Sequence, residues 1–269
     1  MAIELHDLTC QRGNAVLLNR LTHRIEAGQV TAVLGPNGAG KSTLLRMLAR
    51  EWNPSAGSIA WEGRPLGDWS AAELARIRGV LPQESSLNFP FTVREVVLLG
   101  RAPHLTGPET PRDEEIVRHA LAAADLQNLA ERLYPTLSGG EKQRVQFARV
   151  LAQVLTPPKG RIPWILLDEP VSNLDPAHAF ALLGEVRRLA NQGAGVVAIL
   201  HDLNLAARFA DHLLLLKQGK LHAHGNPSSV LQPEIIRNVF AVDASLLQDP
   251  QNRPFVALAP LDYPRHPLD

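Results

Sequence analysis

The segment GPNGAGKST at residues 35–43 constrains the fold more than any other part of the sequence. It follows the apolar run VTAVL (30–34) and precedes a segment of helical pattern that begins near Lys41. A glycine-rich loop between a strand and a helix turns backbone N–H groups inward, and the helix N-terminus adds a positive dipole. Such a loop binds phosphate groups, and the alternative is an ordinary glycine turn before a helix.

The apolar runs elsewhere in the chain predict an α/β fold around this loop. Short runs rich in Val, Ile and Leu alternate with longer helical patterns, which is typical of a mostly parallel sheet with crossover helices. Residues 2–34 are predicted as strands, with turns at RGN and EAGQ, and GVLPQ as a strand ending at Gln83. Helix starts are marked by two capping boxes, Ser70–Glu73 and Thr92–Glu95.

A change of pattern along the chain divides it into four predicted segments. The stretch between two groups of strands is nearly all helical in pattern, which indicates an inserted subdomain. The C-terminal segment is rich in proline and is predicted to run extended over the surface. The segments are an N-terminal part of the core (1–84), the helical subdomain (85–155), a C-terminal part of the core (156–248) and the tail (249–269).

Composition limits the location and the partners of the chain. The 27 basic and 27 acidic residues cancel, so no overall field favours DNA or RNA, and we expect no nucleic-acid partner. Cys10 is the single cysteine, which excludes an internal disulfide. The N-terminus lacks the pattern of a signal peptide, and the apolar runs are shorter than the roughly 18 residues of a membrane helix. We therefore expect a soluble protein that another chain would anchor to any membrane.

The loop fits the pattern G-x-x-x-x-G-K-[ST], which occurs in nucleotide-binding proteins. Lys41 would supply a positive charge to the β- and γ-phosphates, and the Ser42 hydroxyl would bind Mg²⁺. The predicted nucleotide-binding residues are Gly35, Pro36, Asn37, Gly38, Ala39, Gly40, Lys41, Ser42 and Thr43.

A second candidate element is WILLDEP at residues 164–170. An apolar strand that ends in two carboxylates places them at the edge where open α/β sheets bind ligands. Asp168 is predicted to hold Mg²⁺ and Glu169 to polarise an attacking water molecule. The alternative is a simple acidic junction between a strand and a turn.

A third element is LSGGEKQR at residues 137–144, where a serine and two glycines precede a helix. Another anion-binding helix N-terminus is one interpretation. A serine cap alone would explain Ser138 but not the pair Gly139 and Gly140.

With this third element the chain resembles the ATP-binding cassette (ABC) ATPases, whose signature is LSGGEKQ. Other elements of that family also occur in order: LPQ with Gln83, SNLD with Asp175 and ILHD with His201. The resemblance implies a P-loop α/β core with an antiparallel β subdomain and an inserted helical subdomain. It also implies ATP and Mg²⁺ as cofactors.

The resemblance further implies a homodimer that closes head to tail on two ATP molecules. Ser138, Gly139 and Gly140 would reach the γ-phosphate held by the partner's loop, and Asp175 would lie at the dimer seam. His201 would contact the same phosphate. Gln83 would join Mg²⁺, the attacking water and the helical subdomain.

One position departs from the family pattern. Family members place an aromatic residue, which stacks on adenine, where this chain has Arg12 before Gly13. A guanidinium plane also stacks on bases. The alternative is that Arg12 is a solvated turn residue and that Val16 contacts the adenine.

Longer stretches resemble the importer ATPases that serve ferric siderophores, cobalamin and haem. These are residues 89–107, the region from His201 and the C-terminal segment. The proline-rich stretch 155–164, together with GRAPH, resembles the haem-import branch. His104 lies in GRAPH, but it is not interpreted as a haem ligand, because an ATPase subunit of this group need not touch the cargo. His178, His222 and His224 are interpreted as surface residues.

The importer resemblance implies a peripheral subunit at the cytoplasmic face of a bacterial inner membrane. Its partners would be two copies of a polytopic permease, bound through residues 83–105, and indirectly a periplasmic binding protein. Two other classes stay open: a soluble ABC ATPase without a transport role, and a regulatory module that binds nucleotide without hydrolysis. Glu169 and His201 together argue against the latter.

Overall fold

The computed structural model describes residues 1–83, 87 and 89–261. The strands over these residues are β1 (Ala2–Arg12), β2 (Ala15–Glu26), β3 (Val30–Leu34), β4 (Ala56–Trp61), β5 (Arg64–Pro65), β6 (Arg78–Leu81), β7 (Trp164–Asp168), β8 (Gly195–Ile199), β9 (His212–Lys217), β10 (Lys220–Gly225), β11 (Asp243–Gln248) and β12 (Pro254–Ala259). The helices are α1 (Lys41–Leu48), α2 (Ala71–Ile77), α3 (Val93–Leu98), α4 (Pro111–Ala123), α5 (Gly139–Val154), α6 (Pro176–Asn191), α7 (Leu203–Phe209), α8 (Pro227–Val230) and α9 (Pro233–Phe240).

The central sheet has the strand order β10-β9-β3-β8-β7-β6. All of its pairs are parallel except β9 with β10, which is antiparallel. Every residue of β3, β7 and β8 is buried, as expected for parallel strands covered on both faces. Because these three strands are neighbours and parallel, the loops at their carboxyl ends meet at one edge of the sheet.

A second sheet, with the order β2-β1-β4-β5, is antiparallel and packs over one face of the central sheet. A shared core fills the space between the two sheets and includes Leu21, Leu44, Trp61, Trp164 and Leu214. The rings of Trp61 and Trp164 lie 5.6 Å apart in this core. The predicted α/β fold class, with its mixed sheets, is confirmed.

The segment between β6 and β7 contains α3, α4 and α5, which pack on one another. A buried ion pair joins Arg101 to Asp113 at 3.0 Å, and Arg101 also donates to the carbonyl of Ala152 at 2.7 Å. Both predicted capping boxes, at the starts of α2 and α3, are confirmed. The residue boundaries of the four-segment division stay a prediction.

Strand β6 is shorter than predicted. It ends at Leu81 rather than at Gln83, because Pro82 has no N–H to continue the ladder.

Residues 254–259 of the predicted extended tail form β12, which pairs antiparallel with β11 to make a hairpin that the sequence did not predict. Val256 is buried, and its backbone exchanges two hydrogen bonds with the side-chain amide of Asn204 on α7, at 2.7 and 3.1 Å. Pro254 is tolerated because it is the first residue of its strand. Within the described part of the chain no helix is long and apolar enough to cross a membrane.

A candidate nucleotide site at the edge of the central sheet

The loop after β3 requires glycine at two positions. Gly40 has φ +100°, and a Cβ there would lie 2.6 Å from the carbonyl oxygen of Leu17 on β2. A Cβ at Gly35 would lie 2.2 Å from the carbonyl oxygen of Leu216 on β9. The loop is therefore held closely between two strands, and α1 begins directly after it at Lys41.

Lys41 turns back into this loop from the first turn of α1. Its side chain is buried, and Nζ donates to the carbonyl oxygens of Gly35 at 2.7 Å and Pro36 at 3.0 Å. Burial lowers the pKa of Lys41, and the charges of Glu169 and Asp168 oppose this shift. The loop, the lysine and the two carboxylates predicted from sequence therefore lie within electrostatic reach of one another.

Ser42 and Asp168 come together at the end of β7. The Ser42 hydroxyl donates to Oδ1 of Asp168 at 3.4 Å. Burial is the main cause that raises the pKa of Asp168, so this carboxylate gains from a nearby cation. Gln83 and Asp168 line the same small cavity of about 150 Å³. A hydroxyl, a carboxylate and an amide oxygen are hard donors, and they fit Mg²⁺.

Glu169 and His201 form a direct pair at this edge. Nε2 of His201 lies 2.6 Å from Oε1 of Glu169, although the two residues follow different strands. Glu169 has φ +52°, an uncommon backbone conformation for a residue with a side chain. Strain of this kind costs on the order of 1–3 kcal/mol and clusters at functional sites. The geometry can orient a carboxylate toward a water molecule.

Gln143 supports Glu169 and was missed in the sequence. Its buried side-chain amide donates to the carbonyl oxygens of Glu169 at 3.3 Å and Pro170 at 3.2 Å. This residue lies on the buried face of α5, one turn before Phe147. The available signal was a polar side chain on an apolar helical stripe, directly after the segment LSGGEK.

The residues Ser138, Gly139 and Gly140 lie at the start of α5. The Ser138 hydroxyl accepts from the Glu141 N–H at 3.3 Å, which leaves its own proton available to another acceptor. A Cβ at Gly139 would have no described atom within 4 Å, so its backbone is approachable. No hydrogen bond among the described residues joins this segment to the loop 35–43 of the same chain.

Asp175 is the N-cap residue of α6. Among the described residues, no hydrogen bond or ion pair joins it to the nucleotide loop. It accepts from the N–H of His178 at 3.0 Å and pairs with Nδ1 of the same residue at 2.7 Å. These hydrogen bonds lower the pKa of Asp175. His178, interpreted from sequence as a surface residue, is therefore the direct partner of a predicted site residue.

Arg12 lies on an aromatic ring. Its guanidinium carbon is 4.3 Å from the ring centroid of Trp52, and Arg46 contacts the same ring at 5.1 Å. Val16 is 51% exposed. Arg12 is both exposed to solvent and in contact with Trp52, which is compatible with either alternative. Whether Arg12 or Val16 contacts the base stays a prediction.

A phosphate-type loop after β3, paired carboxylates after β7 and a histidine after β8 define a P-loop ATPase. The family model described as ABC transporter matches residues 18–172. The hemin import ATP-binding protein HmuV of Gloeobacter violaceus is 53% identical over 235 residues, covering 87% of this chain and 86% of that protein. The protein of the same name from Pseudomonas entomophila is 49% identical over 249 residues, covering 93% and 96%.

Solved structures give the same result. A metal-chelate type ABC transporter in an inward-facing conformation matches with a TM-score of 0.79 and 28% identity, and 97% of each chain is covered. A dimeric ATP-binding cassette bound to ADP and Pi matches with a TM-score of 0.73 and 27% identity, covering 84% of this chain and 98% of that one. This chain belongs to the ABC transporter family. The predicted family and ATPase activity are confirmed, and ATP is the nucleotide of the class.

Proposed function

We propose that this chain is the ATP-hydrolysing subunit of an importer that moves haem across a bacterial inner membrane. The observation that carries the proposal is identity of about half, over nearly the whole chain, to proteins named for hemin import. A match of this extent includes the helical segment and not only the nucleotide loop. The subunit would act as a peripheral protein at the cytoplasmic face.

Each residue of the nucleotide site has a role in this proposal. The loop 35–43 and Lys41 hold the phosphates, and Ser42, Asp168 and Gln83 would hold Mg²⁺. When bound, Mg²⁺ neutralises charge on the phosphate oxygens. Glu169 would accept the proton of the attacking water. His201, whose Nε2 holds Glu169 in position, would also contact the γ-phosphate. Gln143 fixes the backbone of Glu169.

We further propose a homodimer that closes head to tail, because the start of α5 is separate from the nucleotide loop of its own chain. In a second copy, the Ser138 hydroxyl and the N–H groups of Gly139 and Gly140 would donate to the γ-phosphate on the first copy. Asp175 would lie at the seam. Support comes from the dimeric ATP-binding cassette among the similar structures.

The permease would bind through residues 83–105, in two copies per dimer. Residues 84–86 and 88 of this stretch lie outside the described residues. Phe89 is 67% exposed and Leu99 is 45% exposed, so the stretch offers apolar surface to a partner. Gln83 lies at its start and also lines the cavity of Asp168. ATP-dependent closure would therefore move this surface.

A periplasmic binding protein would be an indirect partner, and no nucleic acid is involved.

The cargo is tested by uptake into vesicles. Vesicles containing the cognate permease, this chain and ATP, supplied with the binding protein, are expected to accumulate haem but not a ferric siderophore or cobalamin. Vesicles with the Glu169→Gln chain are the control, because this chain should still assemble with the permease but should not hydrolyse ATP. Uptake of a siderophore or cobalamin instead of haem would refute the cargo and keep the importer function. If the chain never co-purifies with a permease from detergent extracts, the non-transport class is correct.

Arg12→Ala is expected to weaken ATP binding by about 0.5–2 kcal/mol, because the exposed guanidinium that rests on Trp52 would no longer stack on the base. Titration with ATP and GTP measures the change, and both purines should be affected. Arg118→Ala, at an exposed arginine of α4, is the control. Unchanged ATP affinity in the Arg12 variant, with weaker binding in Val16→Ser, would assign the base contact to Val16.

A further inference from the structure

Three histidines from three strands converge on the side of the molecule formed by β2, β9 and β10. One ring nitrogen from each of His23, His212 and His224 can be chosen so that all three lie within 4.8 Å of one another. The ring centroids are 4.8–5.9 Å apart. Within the residues that the structure describes, this is the only group of three or more His, Cys, Asp or Glu side chains with such spacing.

The strand pattern explains why these rings face one another. His23 lies on the same face of β2 as the buried residues Leu21 and Ile25, so it points toward the central sheet. His212 lies two residues before Leu214, whose side chain belongs to the core between the sheets. His224 is the register partner of Leu214 across the β9–β10 ladder. The three imidazoles thus occupy the rim of the core between the sheets, where apolar side chains would be the simplest filling.

Two of the three rings carry an unsatisfied nitrogen. Nε2 of His23 and Nε2 of His212 are buried and have no hydrogen-bond partner among the described residues. Burial, followed by the proximity of His224 and His212, lowers the pKa of His23 to about 4. Burial and His224 also lower the pKa of His212. The rings of His23 and His212 are therefore neutral at physiological pH, which is the form that binds metal ions.

Stacking alone does not account for this arrangement. An unpaired buried polar atom is destabilising, and here two such atoms belong to one cluster. A metal ion would satisfy both nitrogens at once. Three histidines with an open fourth position are a known ligand set for Zn²⁺, with Zn–N distances of about 2.0–2.1 Å. Rotations of the exposed His224 ring and the half-buried His212 ring would supply the contraction needed.

We propose that His23, His212 and His224 form a binding site for a divalent transition-metal ion of the Zn²⁺ type. The site is separate from the Mg²⁺ donors at the nucleotide loop. Its donors are all imidazole nitrogens, which suit Zn²⁺, Ni²⁺ and Cu²⁺ and not the hard ions Mg²⁺ and Ca²⁺.

His224 also lines an open depression, through which a fourth ligand would reach the ion. Asn19, Arg20, Thr22 and Lys220 line this depression. The two cationic side chains favour an anion or a hydroxide as the fourth ligand, and the site itself contributes no negative charge. The bound ion would join β2 to β9 and β10, and so link the antiparallel sheet to the central sheet. The same strand β2 contacts Gly40 of the nucleotide loop.

Zn²⁺ binding is measured on the nucleotide-free chain, without a histidine tag, by equilibrium dialysis and metal analysis. One Zn²⁺ per chain is expected, and a large excess of Mg²⁺ should not displace it. At a hundredfold excess of Zn²⁺ over its Kd, the thermal midpoint should rise by about 5–10 °C. Co²⁺ in the same site should show the visible spectrum of nitrogen coordination.

His224→Gln is the decisive variant, because the side chain is exposed and its loss leaves the core filled. The substitution should raise the Kd for Zn²⁺ at least about tenfold. His23→Gln should do the same. His222→Gln is the matched control, since it lies on the same strand outside the cluster. Absence of bound Zn²⁺ in the unmodified chain would overturn the proposal. So would full Zn²⁺ retention in His23→Gln and His224→Gln, or an equal loss in His222→Gln.

Discussion

Replacement of Glu169 by Gln is expected to lower ATP turnover by about 10²- to 10⁴-fold while ATP binding persists. An amide cannot accept the proton of the attacking water, yet it keeps the shape of the carboxylate and a hydrogen bond to His201. The short Glu169–His201 contact and the unusual φ of Glu169 place this side chain under strong geometric control. Steady-state phosphate release and equilibrium ATP binding are the two measurements. The variant should also accumulate as an ATP-bound dimer, because closure no longer ends in hydrolysis.

The control for this experiment is Glu185→Gln. Glu185 is a glutamate on α6 that pairs with Arg188, and its replacement makes the same chemical change away from the sheet edge. Turnover above about a tenth of the unmodified rate in Glu169→Gln would assign the base to another group.

Lys41→Ala is expected to abolish measurable ATP binding at physiological concentration. The ammonium is held over the loop by the carbonyls of Gly35 and Pro36, where it would donate to the β- and γ-phosphates. Losing two hydrogen bonds to a charged group weakens binding by about 10²-fold or more. The backbone N–H groups and the helix dipole then face several phosphate charges alone. Titration with a fluorescent ATP analogue in the presence of Mg²⁺ measures the loss.

Lys142→Ala is the matched control, at a lysine on α5 that lies 6.0 Å from the Tyr134 ring. Its ATP affinity in the monomer should be unchanged. Binding within about threefold of the unmodified chain in Lys41→Ala would show that the backbone of the loop suffices. The main interaction with phosphate would then be the dipole and not the lysine.

Local structural features were predictable from the sequence because each depends on interactions among a few neighbouring residues. The glycine spacing of the loop, Lys41 at the first position of α1 and the capping boxes of α2 and α3 each depend on neighbours in the chain. The same holds for the fully apolar strands β3, β7 and β8. The family resemblance added Gln83, Ser138, Asp175 and His201 as predicted site residues. Their roles stay predictions.

Long-range pairing decided what the sequence could not. The contact of His201 with Glu169 exists only because β8 lies between β3 and β7, and buried strands of similar composition do not reveal their order. The hairpin of β11 and β12 is joined to α7 by Asn204, a distant side chain that satisfies the backbone of Val256. The prolines of this segment indicated an extended chain but not its pairing with β11.

By itself, the sequence determined the phosphate loop, the acidic end of β7, the starts of α1, α2, α3 and α5 and the α/β class, because each is encoded within one short segment. Only the tertiary structure brought Gln143 beneath Glu169 and gathered His23, His212 and His224 at one place. His224 appears in the sequence as an ordinary surface histidine. Its partners come from two other strands, and packing of the two sheets against each other is what sets their distance.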